Sequence, residues 1–256
     1  MDNLKFSDEF YSFVRGTQDP VVGALLVSRV IDGDTDLLWI EQEFERLAHG
    51  CREEVCDAKR LCAYLRGQGF GGSENYFRQE NSSLNFVLRQ KEGIPISLAI
   101  LLMGVGRNLG LLVEGINYPG HFLARVEGVL VDPFSLQVFD ASKGLLDSGN
   151  ELIDIGALNI ASGRDIVMRM FNNLRQIARD KGDYTSALDY CGYQLILTEE
   201  PFSVYVERVS LWLAAGVKEM ALHDLEKSIS HAPTLEVRSK LERHRATIEA
   251  SPSKLH

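Results

Sequence analysis

The sequence is poor in cysteine and proline, with four cysteines and seven prolines among 256 residues. The cysteines are Cys51, Cys56, Cys62 and Cys191. Their spacings fit neither the close ligand pairs of a zinc site nor a dense disulfide framework. We therefore expect reduced, mostly buried thiols and no bound metal.

The sequence also lacks a long hydrophobic run. The most apolar stretch, residues 94–105, is too short to span a bilayer and contains Pro95. The first ten residues, MDNLKFSDEF, include an acidic residue at position 2 and no apolar segment typical of a secretory signal. We therefore expect a cytoplasmic protein with no membrane association.

Basic residues are outnumbered and scattered. The chain has 27 lysines and arginines against 36 acidic residues, a formal net charge of −9. Because binding to a phosphate backbone requires a concentrated basic surface, nucleic acid is not an expected partner. Hydrophobic residues make up 45% of the chain, which is sufficient for a packed core.

The first part of the chain has helical periodicity. Apolar positions recur at helical spacing in four segments, and LNFVLRQ at 84–90 adds a short fifth helix. The four segments are residues 7–15, 20–31, 36–67 (one or two helices) and 95–109. The glycine-rich segment 67–75 does not follow a strand and open a helix as a dinucleotide-binding fold requires. No cofactor is therefore expected.

The pattern changes after Gly110. Residues 111–116, 122–127 and 129–132 are short and rich in valine, leucine and aromatics, and glycines separate them. They are typical of strands, and the last two indicate a hairpin. From Ile166 onward only helical periodicity recurs. The predicted fold class is therefore α+β, followed by an all-α tail.

The tail contains an internal repeat. Ala187 and Ala221 are 34 residues apart, and Gly182 and Gly216 precede them at the same spacing. This is the period of tetratricopeptide hairpins. We assign residues 1–165 to a core with an N-terminal helical scaffold and residues 166–256 to two hairpins packed on it, since two repeats are few for a free-standing stack.

Between Gly93 and Phe134 lie the residue types of a catalytic triad. Ser97 follows a helix start at Pro95, His121 begins a predicted strand, and Asp132 ends the next strand. A hydroxyl, an imidazole and a carboxylate in this order can supply a nucleophile, its base and the group that orients the base. Equally, Ser97 can bond the free amides of a helix start, and Asp132 can end a strand.

The strings GIPISL, GINYPGHFL and DPF resemble those of SirB-type proteins, which join a papain-like transglutaminase core to tetratricopeptide repeats. In active transglutaminase-like enzymes the nucleophilic cysteine stands two residues after the helix-start glycine. Here Pro95 occupies that position after Gly93, and none of the four cysteines lies nearby. The resemblance therefore implies the family's fold without its nucleophile.

Three functions remain open. The chain is expected to act as a non-catalytic interaction or regulatory protein that binds a protein or peptide through its cleft or its helical repeats. The first alternative is a hydrolase or acyl-transfer enzyme that uses Ser97, His121 and Asp132. The second is a small-molecule sensor with a cleft at His121, which Asn81, Asn85 and Pro95 would also line. The sequence leaves the oligomeric state open.

Overall fold

The computed structural model describes residues 4–52, 56–118, 120–139, 145–146, 152–153 and 158–250. Helices account for most of this part of the chain. They are α1 (Ser7–Arg15), α2 (Pro20–Ile31), α3 (Leu37–Cys51), α4 (Ala58–Gly67), α5 (Leu84–Gln90), α6 (Pro95–Leu109), α7 (Gly163–Asp180), α8 (Tyr184–Leu197), α9 (Phe202–Ala214), α10 (Lys218–Ser230) and α11 (Leu235–Ala250), with a 3-10 turn at Gln79–Ser82.

The helix boundaries follow from local capping. At the start of α2, one carboxylate oxygen of Asp19 accepts hydrogen bonds from the amides of Val21 at 2.9 Å and Val22 at 3.1 Å, and Pro20 occupies a first-turn position that needs no donor. Helix α6 ends at Gly110, whose φ of 77° suits a residue without a Cβ. Both signals are visible in the sequence, so these boundaries were predictable.

The strands are β1 (Gly71–Gly72), β2 (Glu92–Gly93), β3 (Val113–Tyr118), β4 (His121–Val126), β5 (Val129–Asp132), β6 (Gln137–Val138), β7 (Leu145–Leu146) and β8 (Leu152–Ile153). Strands β3 to β6 form an antiparallel sheet in chain order, β1 pairs with β2 in parallel, and β7 pairs with β8 antiparallel. Glu127 and Gly128 join β4 to β5 with φ values of 48° and 80°, as a tight hairpin requires.

The chain divides into two compact units. Residues 15–170 form the middle unit, and residues 1–14 with 171–256 form the terminal unit. In the middle unit α6 is the central element, because every residue from Ile96 to Gly106 on it is buried. It packs on α2, α3, β3 and β4. The predicted domain boundary between residues 165 and 166 stays a prediction, since a domain is defined by independent folding.

The terminal unit has an aromatic core. The rings of Phe171 and Tyr193 stack with their centroids 4.9 Å apart, and Phe10 of α1 lies 4.9 Å from Tyr193. Ala187 and Ala221 are completely buried, and Gly182 and Gly216 share positive φ values of 74° and 78°. The repeated positions thus have equivalent conformations, whereas their assignment to tetratricopeptide repeats stays a prediction.

The predicted α+β class with a C-terminal all-helical region is confirmed. Among the described residues, no helix combines the length and apolar character needed to cross a membrane.

Candidate functional site

At the start of helix α6, the Ser97 side chain forms hydrogen bonds with the backbone of Ile94. The hydroxyl of Ser97 accepts a hydrogen bond from the amide of Ile94 at 3.1 Å and donates to the carbonyl of Ile94 at 3.0 Å. Ser97 is completely buried, and a Cβ on Gly93 would stand only 2.7 Å from its Oγ. The hydroxyl therefore has the geometry of a helix-terminal bond, with no room beside it for a substrate.

Pro95 is half-buried at the first position of α6. Its side chain carries no nucleophilic atom, and its nitrogen has no hydrogen to donate. It fits this position because the first turn of a helix leaves its amides unpaired.

His121 begins β4 and is exposed. It pairs with Tyr118 of β3, and the two rings are 6.2 Å apart. Side chains of paired residues project from the same face of a sheet. On the same face, Tyr118 packs in an apolar cluster with Ile116 and Leu123. Ile116 is two residues from Tyr118 in β3, and Leu123 is two residues from His121 in β4.

Helix α6 lies against the opposite face of the sheet. The register places Phe122 of β4 on that face, opposite in direction to His121. A Cβ on Gly115 would stand 2.7 Å from the ring of Phe122 and 3.1 Å from Met103 of α6, so these side chains meet there. His121 thus projects away from the helix that carries Ser97.

Asp132 is occupied by the turn that follows β5. Its carboxylate accepts hydrogen bonds from the amide of Phe134 at 3.0 Å and from the amide and hydroxyl of Ser135 at 3.3 and 2.5 Å. Among the residues that the structure describes, no hydrogen bond joins Asp132, His121 and Ser97 to one another. The carboxylate stabilises the turn, which was one of the two interpretations of its position.

The two asparagines predicted to line a cleft occupy different environments. Asn81 is completely buried and donates to the carbonyl of Asn75 at 2.7 Å, while its side-chain oxygen has no hydrogen-bond partner within the described ranges. Asn85 donates to the Asp32 carboxylate at 2.7 Å and accepts from Arg89 at 2.9 Å. It lines a cavity of about 300 Å³ to which His121 does not contribute.

An arginine that the sequence analysis missed lies beside His121. Arg169 of α7 donates to the carbonyl oxygen of His121 at 2.7 Å, and its guanidinium carbon is 5.5 Å from the centre of the Phe122 ring. Burial lowers the pKa of Arg169, and the nearby Tyr76 hydroxyl partly opposes this shift. No motif marks this residue, because it lies 48 positions after His121 and only folding brings the two together.

Residues 35–172 match the family model described as the transglutaminase-like superfamily. The chain belongs to the transglutaminase-like superfamily. This confirms the family resemblance of the three sequence strings.

The proteins that the chain resembles come from several organisms. A UPF0162 protein of Xylella fastidiosa is 31% identical over 64% of this chain and 63% of its own length, so the match spans a little under two thirds of that relative. Protein SirB1 of Salmonella typhimurium is 22% identical over 82% of this chain and 86% of its length. Human F-box only protein 21 is 27% identical over 51% of this chain and 23% of its length. No solved structure matches the chain.

The four cysteines of this superfamily member lie in α3, just before α4, in α4 and in α8, and not in α6. Burial raises the pKa of Cys62 to about 12 and that of Cys191 to about 11. Both are therefore thiols near neutral pH, and a thiol is a poor nucleophile. Cys51 is buried and Cys56 is half-buried, with their sulfurs 3.5 Å apart. Among the described residues, no group of three or more histidine, cysteine or acidic side chains is placed to hold a metal.

Three exposed aromatic rings lie on neighbouring loops of the middle unit. Tyr76, Phe77 and Phe134 are 42%, 68% and 37% exposed, and we call them the aromatic rim. The loops are joined because the amide of Gly72 donates to the carbonyl of Phe134 at 2.8 Å. A Cβ on Gly72 would stand 2.3 Å from the Phe134 ring, so only glycine permits this contact. Tyr76 and Phe77 meet edge to face, with centroids 5.6 Å apart.

Arg169 links the rim to His121. Tyr76 lies near enough to influence the pKa of Arg169, and the guanidinium of Arg169 donates to the backbone of His121. Phe134 belongs to the DPF string quoted from the sequence, whereas Tyr76 and Phe77 carry no motif. The sequence did not show that these rings are exposed. The one sequence feature that pointed to it was the glycine-rich loop next to Tyr76 and Phe77.

Proposed function

We propose that this transglutaminase-like protein is non-catalytic and binds a protein or peptide through the surface formed by the aromatic rim, His121 and Arg169. The observation that carries the non-catalytic part is the Ser97 hydroxyl, which is fully buried and bonded twice to Ile94. A nucleophile must reach a carbonyl carbon, and this oxygen has neither the access nor, among the described residues, a base within hydrogen-bonding distance.

Exposed aromatic side chains support the binding part. Large exposed apolar groups cost solvation free energy, and aromatic residues and arginine are enriched where proteins bind one another. Phe77 is the most exposed ring of the rim, and Arg169 adds a cation near Tyr76 and His121. Because the chain carries a net charge of −9, the proposal favours a basic or neutral partner.

All four cysteines lie in the part of the chain that the structure describes and form no disulfide there, which supports a reducing compartment, and we propose the cytoplasm. Cysteines without disulfides are usual in the cytoplasm, since cellular reductants keep the thiols reduced.

The non-catalytic part is tested with electrophilic probes. A fluorophosphonate and iodoacetamide should leave Ser97 unlabelled under native conditions, as judged by peptide mass spectrometry. Stoichiometric labelling of Ser97 that disappears in His121→Ala would overturn the proposal in favour of a hydrolase or acyl-transfer enzyme.

The binding part is tested by comparing variants for a partner recovered by crosslinking and then purified. Phe77→Ala and His121→Ala should weaken its binding at least about fivefold, since a well-packed interface anchor contributes more than about 1 kcal/mol. Leu112→Ala is the matched control, because Leu112 is 61% exposed in the same unit and lies outside the rim. If Tyr205→Ala alone abolished binding, the helical tail would carry the function instead.

A further inference from the structure

Two cysteines are held in contact at the junction of helices α3 and α4. Cys51 is the last residue of α3 and is completely buried, and Cys56 lies directly before Asp57, the capping residue of α4. Their Sγ atoms are 3.5 Å apart. The sulfur–sulfur bond of a disulfide is about 2.05 Å long, so a small movement of the two side chains would bring the sulfurs to bonding distance.

The flanking helix ends hold both cysteines in place. The amide of Arg52 donates to the carbonyls of Ala48 and His49, which ends α3 with Cys51 inside its last turn. The Asp57 carboxylate accepts from the amide of Arg60 at 2.8 Å, which fixes the start of α4 at Ala58, two residues after Cys56. The contact between the sulfurs therefore joins two ordered helix ends.

Close packing of the two helices supports the same contact. A Cβ on Gly50 of α3 would stand 2.1 Å from the Tyr64 hydroxyl oxygen of α4. The side chain of Tyr64 thus packs directly on Gly50, the residue before Cys51. Such packing limits how far Cys51 and Cys56 can separate.

We propose that Cys51 and Cys56 form a reversible disulfide when the protein meets a small disulfide such as oxidised glutathione. Cys56 is the attacking residue because it is half-buried, whereas Cys51 is completely buried. The pair is a redox modification site that is separate from the rim and from the start of α6.

The reaction is two successive thiol–disulfide exchanges. Cys56 loses its proton, and its sulfur bonds to one sulfur of oxidised glutathione while the sulfur–sulfur bond of glutathione breaks and releases one glutathione thiolate, which is then protonated. Cys51 next loses its proton and attacks the Cys56 sulfur, and a second glutathione leaves in the same way. The two cysteines are oxidised, and one oxidised glutathione is reduced to two molecules of glutathione.

Trypsin provides a direct test, because it cleaves after Arg52 and so separates the two cysteines into peptides 47–52 and 53–59. The full-length reduced protein is incubated with oxidised glutathione, alkylated and digested without reductant. We expect the two peptides to appear as one crosslinked species that dithiothreitol separates. A wild-type protein that keeps four free thiols, or stops at a glutathione adduct on Cys56, would overturn the proposal.

Two variants separate the steps. Cys51→Ser should accumulate the glutathione adduct at Cys56, since the resolving thiol is gone. Cys62→Ser is the matched control and should form the crosslink to the wild-type extent, because the pKa of Cys62 is raised to about 12 and the pair does not require it. A crosslink that involves Cys62 or Cys191 in the native wild-type protein would also contradict the proposed pairing.

Discussion

The two compact units bury different kinds of side chain. In the middle unit, the buried side chains of α6 itself are apolar apart from Ser97, whose hydroxyl is hydrogen-bonded within the helix start. In the terminal unit, a charged pair is buried: Arg208 of α9 lies 3.1 Å from Asp224 of α10, with side chains only 7% and 0% exposed. The indole of Trp212 also donates to Asp224 at 2.9 Å.

This difference shows two ways to specify a fold. Aliphatic packing stabilises α6 in proportion to the area buried, and it requires only that shapes fit. A buried ion pair gains little net free energy, but it makes a wrong helix pairing very unfavourable, because each charge would then be buried alone. Burial raises the pKa of Asp224, and the cation of Arg208 opposes this shift. The pair therefore fixes how α9 meets α10 rather than adding stability.

The largest effect is expected when the terminal unit loses its N-terminal helix. The fragment 165–256 lacks Phe10, which is completely buried and lies against Phe171 and Tyr193. We expect this fragment to show no cooperative thermal transition by circular dichroism. A cooperative transition at a midpoint close to that of the whole protein would show that α1 is dispensable and that the helices fold independently.

The next effect concerns the buried ion pair. Asp224→Asn should lower the free energy of unfolding by about 3–5 kcal/mol, since Arg208 is left as an unpaired buried charge. Urea denaturation measures the change. The control is Glu242→Gln in the exposed pair with Arg238, whose side chains are 55% and 54% exposed, and it should change stability by no more than about 0.5 kcal/mol. Equal effects in the two variants would contradict the comparison.

The aliphatic core of the middle unit should respond through cavity formation. Leu101→Ala on α6 removes a completely buried side chain and should cost about 2–5 kcal/mol in the free energy of unfolding. Leu112→Ala, at a site 61% exposed, should cost less than about 0.5 kcal/mol. A small effect at Leu101 would mean that the surroundings of α6 collapse easily, unlike a closely packed core.

A smaller effect is expected at the start of α2. Burial alone would raise the pKa of Asp19, but hydrogen bonds from Arg107 and from the amides of Val22 and Val21 outweigh it and hold the pKa below the ordinary 3.8. The resulting stability is present above that value and is lost as the pH falls through the lowered pKa.

Arg107→Ala should therefore reduce the free energy of unfolding at pH 7 by less than about 1 kcal/mol, because Arg107 is 53% exposed and water screens the pair. The difference from wild type should shrink as the pH falls from 3.8 through the lowered pKa of Asp19, because the carboxylate becomes protonated over this range. Urea titrations at several pH values measure it. A difference that grew towards acid would contradict the assigned role of Arg107.

The smallest effect is expected at His121. Its ring is exposed and forms no hydrogen bond with any described residue, so His121→Ala should change the free energy of unfolding by less than about 0.5 kcal/mol. This loss of stability is smaller than the loss expected if His121 were hydrogen-bonded to Asp132. A loss of about 1–2 kcal/mol in thermal or urea denaturation would instead indicate that the histidine and the aspartate are paired.

The sequence by itself determined the elements whose signals are local. Pro20 and Pro95 at helix starts, Gly110 at a helix end and Gly128 in a hairpin turn each restrict φ in a way that depends on the residue alone. The family strings, and the proline at the position where the resemblance places a cysteine, are also local features of the sequence. The predicted strands at 111–116 and 122–127 begin at Val113 and His121 in the structure, because pairing across the sheet, and not local preference, sets strand ends.

Only the tertiary structure decided which of these residues meet. Chain order suggested Ser97, His121 and Asp132 as a triad, but the pleat of β4 directs His121 away from α6, and the turn after β5 occupies Asp132. Arg169 and the sulfur contact of Cys51 with Cys56 depend on how helices pack. Burial, charge pairing and side-chain direction arise from contacts between segments distant in the chain, so no local pattern of residues encodes them.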